Sequence, residues 1–389
     1  MRIMYCRRYR KSLAKRLRRG SMKATRKLQA LGQSLWLDNI TRGLLGDGTL
    51  TRYRDDYNVT GLTSNPRIFL KAIRDTAAYD IDIAKPVDAT LTDEALFFSL
   101  AIRDLKQAAE LFLPVHQETG GIDGWVSLEV SPWLAEDAVG TVAAAKSLYA
   151  SADCPNLLIK IPGTTIGLVA IEEAIFSGVP VNVTLLFSRE QYVEAANAYW
   201  RGLARRRDAG LDLHVASVAS LFVSRWDIAI TGEVPFGLRN RLGVAVAKQT
   251  YGAYRERMSH PMWRELSDAG ASAQRLVWAS TGVKSRELSP GYYVEALAAP
   301  DTIDTVPEAT LLAFATGGEL ISVMREDGGN ADPVLADFAH AGIDVPALAA
   351  RLQREGVESF RQAWAELMQI IAGKRGPEWR PPPVTHVMS

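Results

Sequence analysis

Short apolar, β-branched runs alternate with long helical patterns eight times along this chain, and no other feature constrains its fold as tightly. The runs are "SLWLDNI" (34–40), "NVTGLTSN" (58–65), "GWVSLEV" (124–130), "NLLIKIPG" (156–163), "VPVNVTLLF" (179–187), "LHVASVAS" (213–220), "RLVWASTG" (275–282) and a segment around "DTIDTV" (301–306). Between them, "DEALFFSLAIRDLKQAAELFLPV" (93–115), "AVGTVAAAKSLYA" (138–150), "GLVAIEEAIFSG" (167–178) and "SREQYVEAANAYWRGLARRRDAG" (188–210) carry apolar residues at helical spacing. Several of these open on Ser, Thr or Asp and close at Gly, the residues that cap and stop helices. Strands alternating with helices build βαβ units, a parallel sheet covered on both faces. Eight such strands favour a closed (β/α)8 barrel over an open doubly wound sheet. The expectation is one α/β barrel over residues 22–373 with additional helices. These are an excursion over 221–274, between the sixth and seventh strands, and a helical C-terminal segment from residue 331.

Composition narrows the function classes. The 389 residues suit two average domains or one barrel with insertions, and 47% apolar with 23% charged residues is the balance of a soluble globular protein. No apolar run approaches the roughly 20 residues that span a bilayer. Net charge is +1, but residues 1–20 hold nine of the 45 basic residues and no acid, leaving 36 basic against 44 acidic in the rest. An acidic body argues against a nucleic-acid surface there. The basic leader, 1–21, fits RNA, acidic lipid or an organellar presequence; the plainer expectation is a start at Met22 or an inert extension. "GPEWRPPPV" and its surroundings, 374–389, read as a disordered tail. Cys6 and Cys154 give neither a disulfide framework nor a Cys-x-x-Cys site, as expected of a reducing cytoplasm. His116, His214, His260, His340 and His386 are scattered, and no dinucleotide or P-loop glycine pattern occurs. Metal, nicotinamide and ATP chemistry therefore have no support in the sequence, and no cofactor is implied.

The strands end on polar residues. Asp38, Thr63 with Asn65, Glu129, Lys160, Asn182 with Thr184, Ser220 and Ser280 each fall at or near the C-terminal end of a strand, the end that builds the active site of such a barrel. Each has a plainer reading alone: Asn65 before Pro66 is a turn former or helix cap, and Lys160 can lay its stem along apolar surface. Seven strands ending this way are harder to dismiss, because barrel interiors are normally apolar. Period-two geometry puts Leu158 and Lys160 on one side of their strand, and Asn182 and Thr184 on one side of theirs. A buried lysine is a candidate nucleophile for a ketone carbonyl, since only the free amine condenses and burial disfavours the ammonium. Glu129 and Asp38 would supply two carboxylates for proton transfer, while their charges favour the ammonium; the sequence leaves open which effect wins.

The ordered motifs "SLWLDNI", "VTGLTSNPRIF", "VSLEV", "LLIKIPGT", "VNVTLLFS", "VASLFVSRWD" and "WASTGVK" resemble those of transaldolases, over roughly residues 30–330. The resemblance implies a Schiff-base enzyme of the pentose phosphate pathway, moving a dihydroxyacetone unit between ketose and aldose phosphates. It implies that Lys160 forms the Schiff base, that Asp38 acts on the C4 hydroxyl, and that Glu129 works through a water held by Thr184. Thr63, Asn65, Asn182, Ser220 and Phe222 match positions around the dihydroxyacetone unit, and Arg225 and Ser280 match phosphate-binding positions. Lys284 falls where many relatives carry a second arginine, and lysine supplies a point charge without a fork. Related fructose 6-phosphate aldolases tend to carry Gln at the position of Glu129 and Tyr at that of Phe222, so transfer is favoured over release of free dihydroxyacetone. A non-catalytic barrel acting as a scaffold is the remaining alternative, and oligomeric state is left open.

Overall fold

The computed structural model describes residues 23–376, apart from 86, 87 and 89. The eight expected strands are all present: β1 (Ser34–Leu37), β2 (Val59–Thr63), β3 (Val126–Glu129), β4 (Leu157–Pro162), β5 (Val181–Leu186), β6 (Ser217–Phe222), β7 (Arg275–Ala279) and β8 (Ile303–Val306). All neighbours are parallel, and β1 pairs with both β2 and β8, which closes the sheet into a barrel. The enclosing helices include α1 (Thr49–Tyr57), α2 (Pro66–Asp75), α3 (Asp93–Glu118), α4 (Ala138–Ala152), α5 (Thr165–Phe176), α6 (Arg189–Asp208), α7 (Leu242–Arg257), α8 (Tyr292–Ala296) and α9 (Glu308–Gly317). Four of them start where the sequence places a cap. The side chains of Thr92, Asp137, Thr164 and Ser188 accept from the backbone N–H three residues on, opening α3, α4, α5 and α6.

Two segments extend the barrel. The 221–274 excursion is helical, with α7 flanked by the short helices Ser224–Ala229 and Pro261–Asp268. The C-terminal segment forms α10 (Ala331–His340) and α11 (Val345–Arg375). The basic leader, 1–21, and the chain after Gly376 lie outside the described residues. Lys374 and Arg375, expected in the tail, form the last turn of α11. Lys374 is held there by Asp80 and the Ile73 carbonyl, and Arg375 by Asp93 and the Leu91 carbonyl. No helix among the described residues is long and apolar enough to cross a membrane.

The interior changes character along each strand. Trp36, Leu158, Val218, Val277 and Ile303 pack with Trp125 in a buried apolar layer at the N-terminal end. Two residues further, on the same side of each strand, stand Asp38, Lys160, Ser220, Ala279 and Thr305. An apolar floor thus lies beneath a polar layer. Gly61 makes the floor possible, because a Cβ there would sit 2.5 Å from the Trp125 carbonyl oxygen and 2.8 Å from Trp36 Nε1.

Over the polar end, α11 runs across the β4–β5 side of the opening. Gln353 Nε2 donates to the carbonyls of Gly163 at 3.1 Å and Leu185 at 3.0 Å. Leu185 itself has φ +58°, at an irregularity in the β5–β6 pairing.

Candidate active site

Strand register assembles the centre of the polar layer. Glu129 pairs with Lys160 across β3–β4, and Lys160 with Asn182 across β4–β5, so three polar side chains from adjacent strands meet inside the barrel. Lys160 Nζ donates to the Ser64 carbonyl at 3.0 Å and lies 3.4 Å from Glu129 Oε2. Asp38 Oδ1 accepts from Thr63 Oγ1 at 2.9 Å, and the Thr63 and Thr305 hydroxyls are 2.7 Å apart. On the far side, Ser220 Oγ donates to Asn182 Oδ1 at 2.7 Å, and Asn182 Nδ2 donates to Ser127 Oγ at 3.2 Å. These bonds hold the amide of Asn182 in one orientation.

The electrostatics follow from depth. Burial pushes the Glu129 carboxyl up to about 7, opposed by the charge of Lys160 and assisted by that of Asp38. Burial also raises Asp38, against the Lys160 charge and the Thr63 hydroxyl. A carboxyl near 7 both gives and takes a proton at neutral pH, which is what general acid–base work requires. Glu129 Oε2 and Thr184 Oγ1 are buried without a hydrogen-bond partner among the described residues.

Above this centre opens a cavity of about 660 Å³ whose outer wall is cationic, with Arg67, Lys71, Arg225 and Lys284. Arg225 follows Ser224, whose backbone N–H donates to the Ser280 carbonyl at 2.9 Å. Ser280 adopts φ +55°, uncommon for a residue with a side chain, and such local strain concentrates at functional sites. Phe222 is buried against Phe187, ring centroids 5.3 Å apart.

Of the residues singled out from sequence, Asp38, Thr63, Asn65, Lys160, Thr184, Ser220, Phe222, Arg225, Ser280 and Lys284 all line the cavity. Glu129 and Asn182 do not line it but touch residues that do, Lys160 and Ser220. Asn65 also fulfils its plainer reading, since its side chain accepts from the Ile68 N–H and caps α2. Sequence reasoning missed Thr305, Arg67, Lys71 and Phe360. Thr305 was within reach: it is the next-to-last residue of β8, a polar side chain near the C-terminal end of its strand. The other three lie on helices, where nothing local distinguishes them from surface residues.

Comparison with known proteins agrees with this geometry. Residues 35–371 match the family described as Transaldolase/Fructose-6-phosphate aldolase. A transaldolase of Neisseria meningitidis serogroup A (strain Z2491) is 41% identical over 342 residues, covering 88% of this chain and 97% of that protein. One from Thiobacillus denitrificans is 42% identical over 358 residues, 90% of this chain and 100% of that protein. Transaldolase 2 of Nostoc sp. PCC 7120 is 36% identical over 366 residues, 89% and 96% of the two chains. With the family matched from β1 into α11, and relatives aligned over nearly their whole length, the chain belongs to the transaldolase/fructose-6-phosphate aldolase family.

Proposed function

We infer that this barrel transfers a dihydroxyacetone unit from a ketose phosphate, sedoheptulose 7-phosphate or fructose 6-phosphate, to an aldose phosphate, glyceraldehyde 3-phosphate or erythrose 4-phosphate. One observation carries the assignment of the chemistry: the only lysine among the polar strand ends, Lys160, is buried at the base of the cavity between a carbonyl and a carboxylate. As the free amine, Nζ adds to the ketose C2, and Glu129 is the group placed to take and return the protons of carbinolamine formation and water loss. Glu129 Oε2, beside Lys160 Nζ at 3.4 Å, and the buried Thr184 hydroxyl support a water working between the carboxyl and the hydroxyl.

In the iminium that results, Asp38 removes the proton of the C4 hydroxyl. The C3–C4 bond then breaks, its electron pair moves into the iminium to form an enamine, and the aldose leaves. The enamine C3 attacks the acceptor aldehyde, and hydrolysis of the new iminium releases the product ketose. Asn182 and Ser220, locked to one another, present fixed polar groups to the three-carbon unit. Arg225, Ser280 and Lys284 hold the phosphate at the cationic wall. Because charged sugar phosphates do not cross bilayers unaided, the cytoplasm is the expected compartment.

Borohydride reduction in the presence of fructose 6-phosphate, followed by peptide mass mapping, tests the assignment. A reduced adduct on Lys160 is expected, and an adduct on another lysine or none overturns it. A coupled assay of fructose 6-phosphate with and without erythrose 4-phosphate separates transfer from release. Turnover that requires the acceptor is expected.

A further inference from the structure

The outer cavity wall has more positive charge than the three phosphate residues already named supply. Its lining carboxylates hydrogen-bond elsewhere: Asp38 with Thr63, Asp75 with Arg74 at 2.8 Å although its charge also acts on Lys71, and Glu308 with the Tyr53 hydroxyl at 2.6 Å. Among the described residues no carboxylate hydrogen-bonds to Arg67, Lys71, Arg225 or Lys284, and the nearest acid felt by Arg225 is Glu355 on α11. Arg225 is partly buried, and both its desolvation and the charge of Arg67 disfavour its cation. Two guanidinium groups facing one cavity, with only the charge of Glu355 offsetting their repulsion at Arg225, gain from an anion that joins them. The N-terminal end of α2, with its partial positive charge, opens toward the same space.

We propose that Arg67 is a second phosphate-binding arginine, held opposite Arg225 by Ser359 of α11, so that the C-terminal helix completes the phosphate subsite. The proposal rests on the sugar-phosphate reading above. Arg67 stands at the second position of α2, after the Asn65 cap and Pro66, and three residues beyond Ser64, whose carbonyl orients Lys160. Its Nη2 donates to Ser359 Oγ, which fixes one edge of the guanidinium and leaves other N–H groups for a ligand. The next residue, Phe360, is buried and lines the same cavity. The segment carrying both is anchored to α2 by Arg74 and Glu366, 3.1 Å apart. Lys284 offers only a point charge, whereas Arg67 adds the second planar fork that grips phosphate in two places.

Steady-state kinetics of Arg67→Ala, Arg67→Lys and Ser359→Ala test this, with inorganic phosphate as competitive inhibitor and thermal melting as the control for folding. In Arg67→Ala, KM for fructose 6-phosphate and the inhibition constant of phosphate should both rise about tenfold while kcat holds, the pattern of lost uniform binding. Lysine should restore part of the loss, and Ser359→Ala should give a smaller rise. Borohydride trapping with dihydroxyacetone, which carries no phosphate, should be unchanged in all three. If KM and phosphate inhibition stay within about twofold of wild type, or if only the melting temperature falls, Arg67 merely ties α2 to α11 and the proposal is wrong. If wild type itself fails to trap dihydroxyacetone, it is the Schiff-base reading that fails, while phosphate inhibition still reports on Arg67.

Discussion

Replacing Asp304 with asparagine should stabilise the protein by an amount that grows as pH rises from the ordinary 3.8 to about 7. Asp304 lies on β8 between the inward-facing Ile303 and Thr305, fully buried toward the helical layer. Its Oδ1 is 3.0 Å from Thr281 Oγ1, which also lies 3.1 Å from the Thr305 carbonyl, and its Oδ2 has no partner. Thr281 has one proton for two acceptors. A neutral Asp304 resolves the conflict by donating to Thr281, which then donates to Thr305. Burial accordingly pushes this carboxyl from its ordinary 3.8 up to about 7, a difference equivalent to about 4 kcal/mol. The fold holds this proton more tightly than the unfolded chain does. Stability is therefore unaffected below the ordinary value, falls as pH rises between the two values, and is lower by the full amount above about 7. Asparagine mimics the neutral acid, and its amide can donate to Thr281. Urea unfolding of wild type and Asp304→Asn should give similar free energies near pH 4, and the variant should gain up to about 4 kcal/mol by about pH 8. A difference that does not change with pH, or a variant less stable at high pH, would refute a buried neutral acid.

Lys160→Ala should fold normally and lose turnover of fructose 6-phosphate with erythrose 4-phosphate by several orders of magnitude, since no other group supplies the electron sink; near-normal rates in a coupled assay exclude the Schiff base at this position. Glu129→Gln should lower kcat and remove from its pH profile an inflection near 7, the value to which burial pushes this carboxyl. An unchanged profile assigns the proton transfers to another group. Gly61→Ala should cost about 1–3 kcal/mol, because its Cβ meets the Trp125 carbonyl and the Trp36 ring; a melting temperature equal to wild type would show that the floor can yield.

The strands were legible because the sheet is closed and covered, which makes each strand a short apolar run bounded by helical patterns. Their ends were legible for a related reason: a polar residue two positions beyond a buried one, as in Leu158–Lys160 or Val218–Ser220, breaks the pattern at the catalytic end. Boundaries were less exact. "LHVASVAS" reads as strand from Leu213, yet β6 begins at Ser217; of the residues before it, only Ala216 bonds to β5, its carbonyl accepting from the Val181 N–H at 3.1 Å, while the Val215 carbonyl accepts from the Tyr199 hydroxyl. The cationic wall was half legible. Arg225 and Ser280 adjoin strands, whereas Arg67 lies on α2 and Phe360 on α11, which reaches the cavity only where it crosses the barrel. That crossing has no local signal. Gly356 looks like a weak point in a helix, but a Cβ there would lie 3.0 Å from Leu185 Cδ2, so it marks where α11 comes down onto β5.

Layering also bears on the chemistry. The apolar floor formed around Trp36, Leu158 and Ile303 keeps water from reaching the polar layer from below, and the barrel wall keeps it from the sides. Glu129 and Asp38 are thereby desolvated enough to be raised, yet both still feel the positive charge of Lys160. On the proposed reading, an iminium at Nζ carries its charge in that same place, so the field of the two carboxylates is already arranged for the intermediate and need not reorganise when it forms. In the proposed cleavage step an electron pair moves into the iminium, removing that charge just as Asp38 takes up a proton and loses its own. The sign of the centre is conserved through the step. A carboxylate pair in an open, watery cleft would be screened and would favour neither state, which is why the same residues need a closed barrel beneath them.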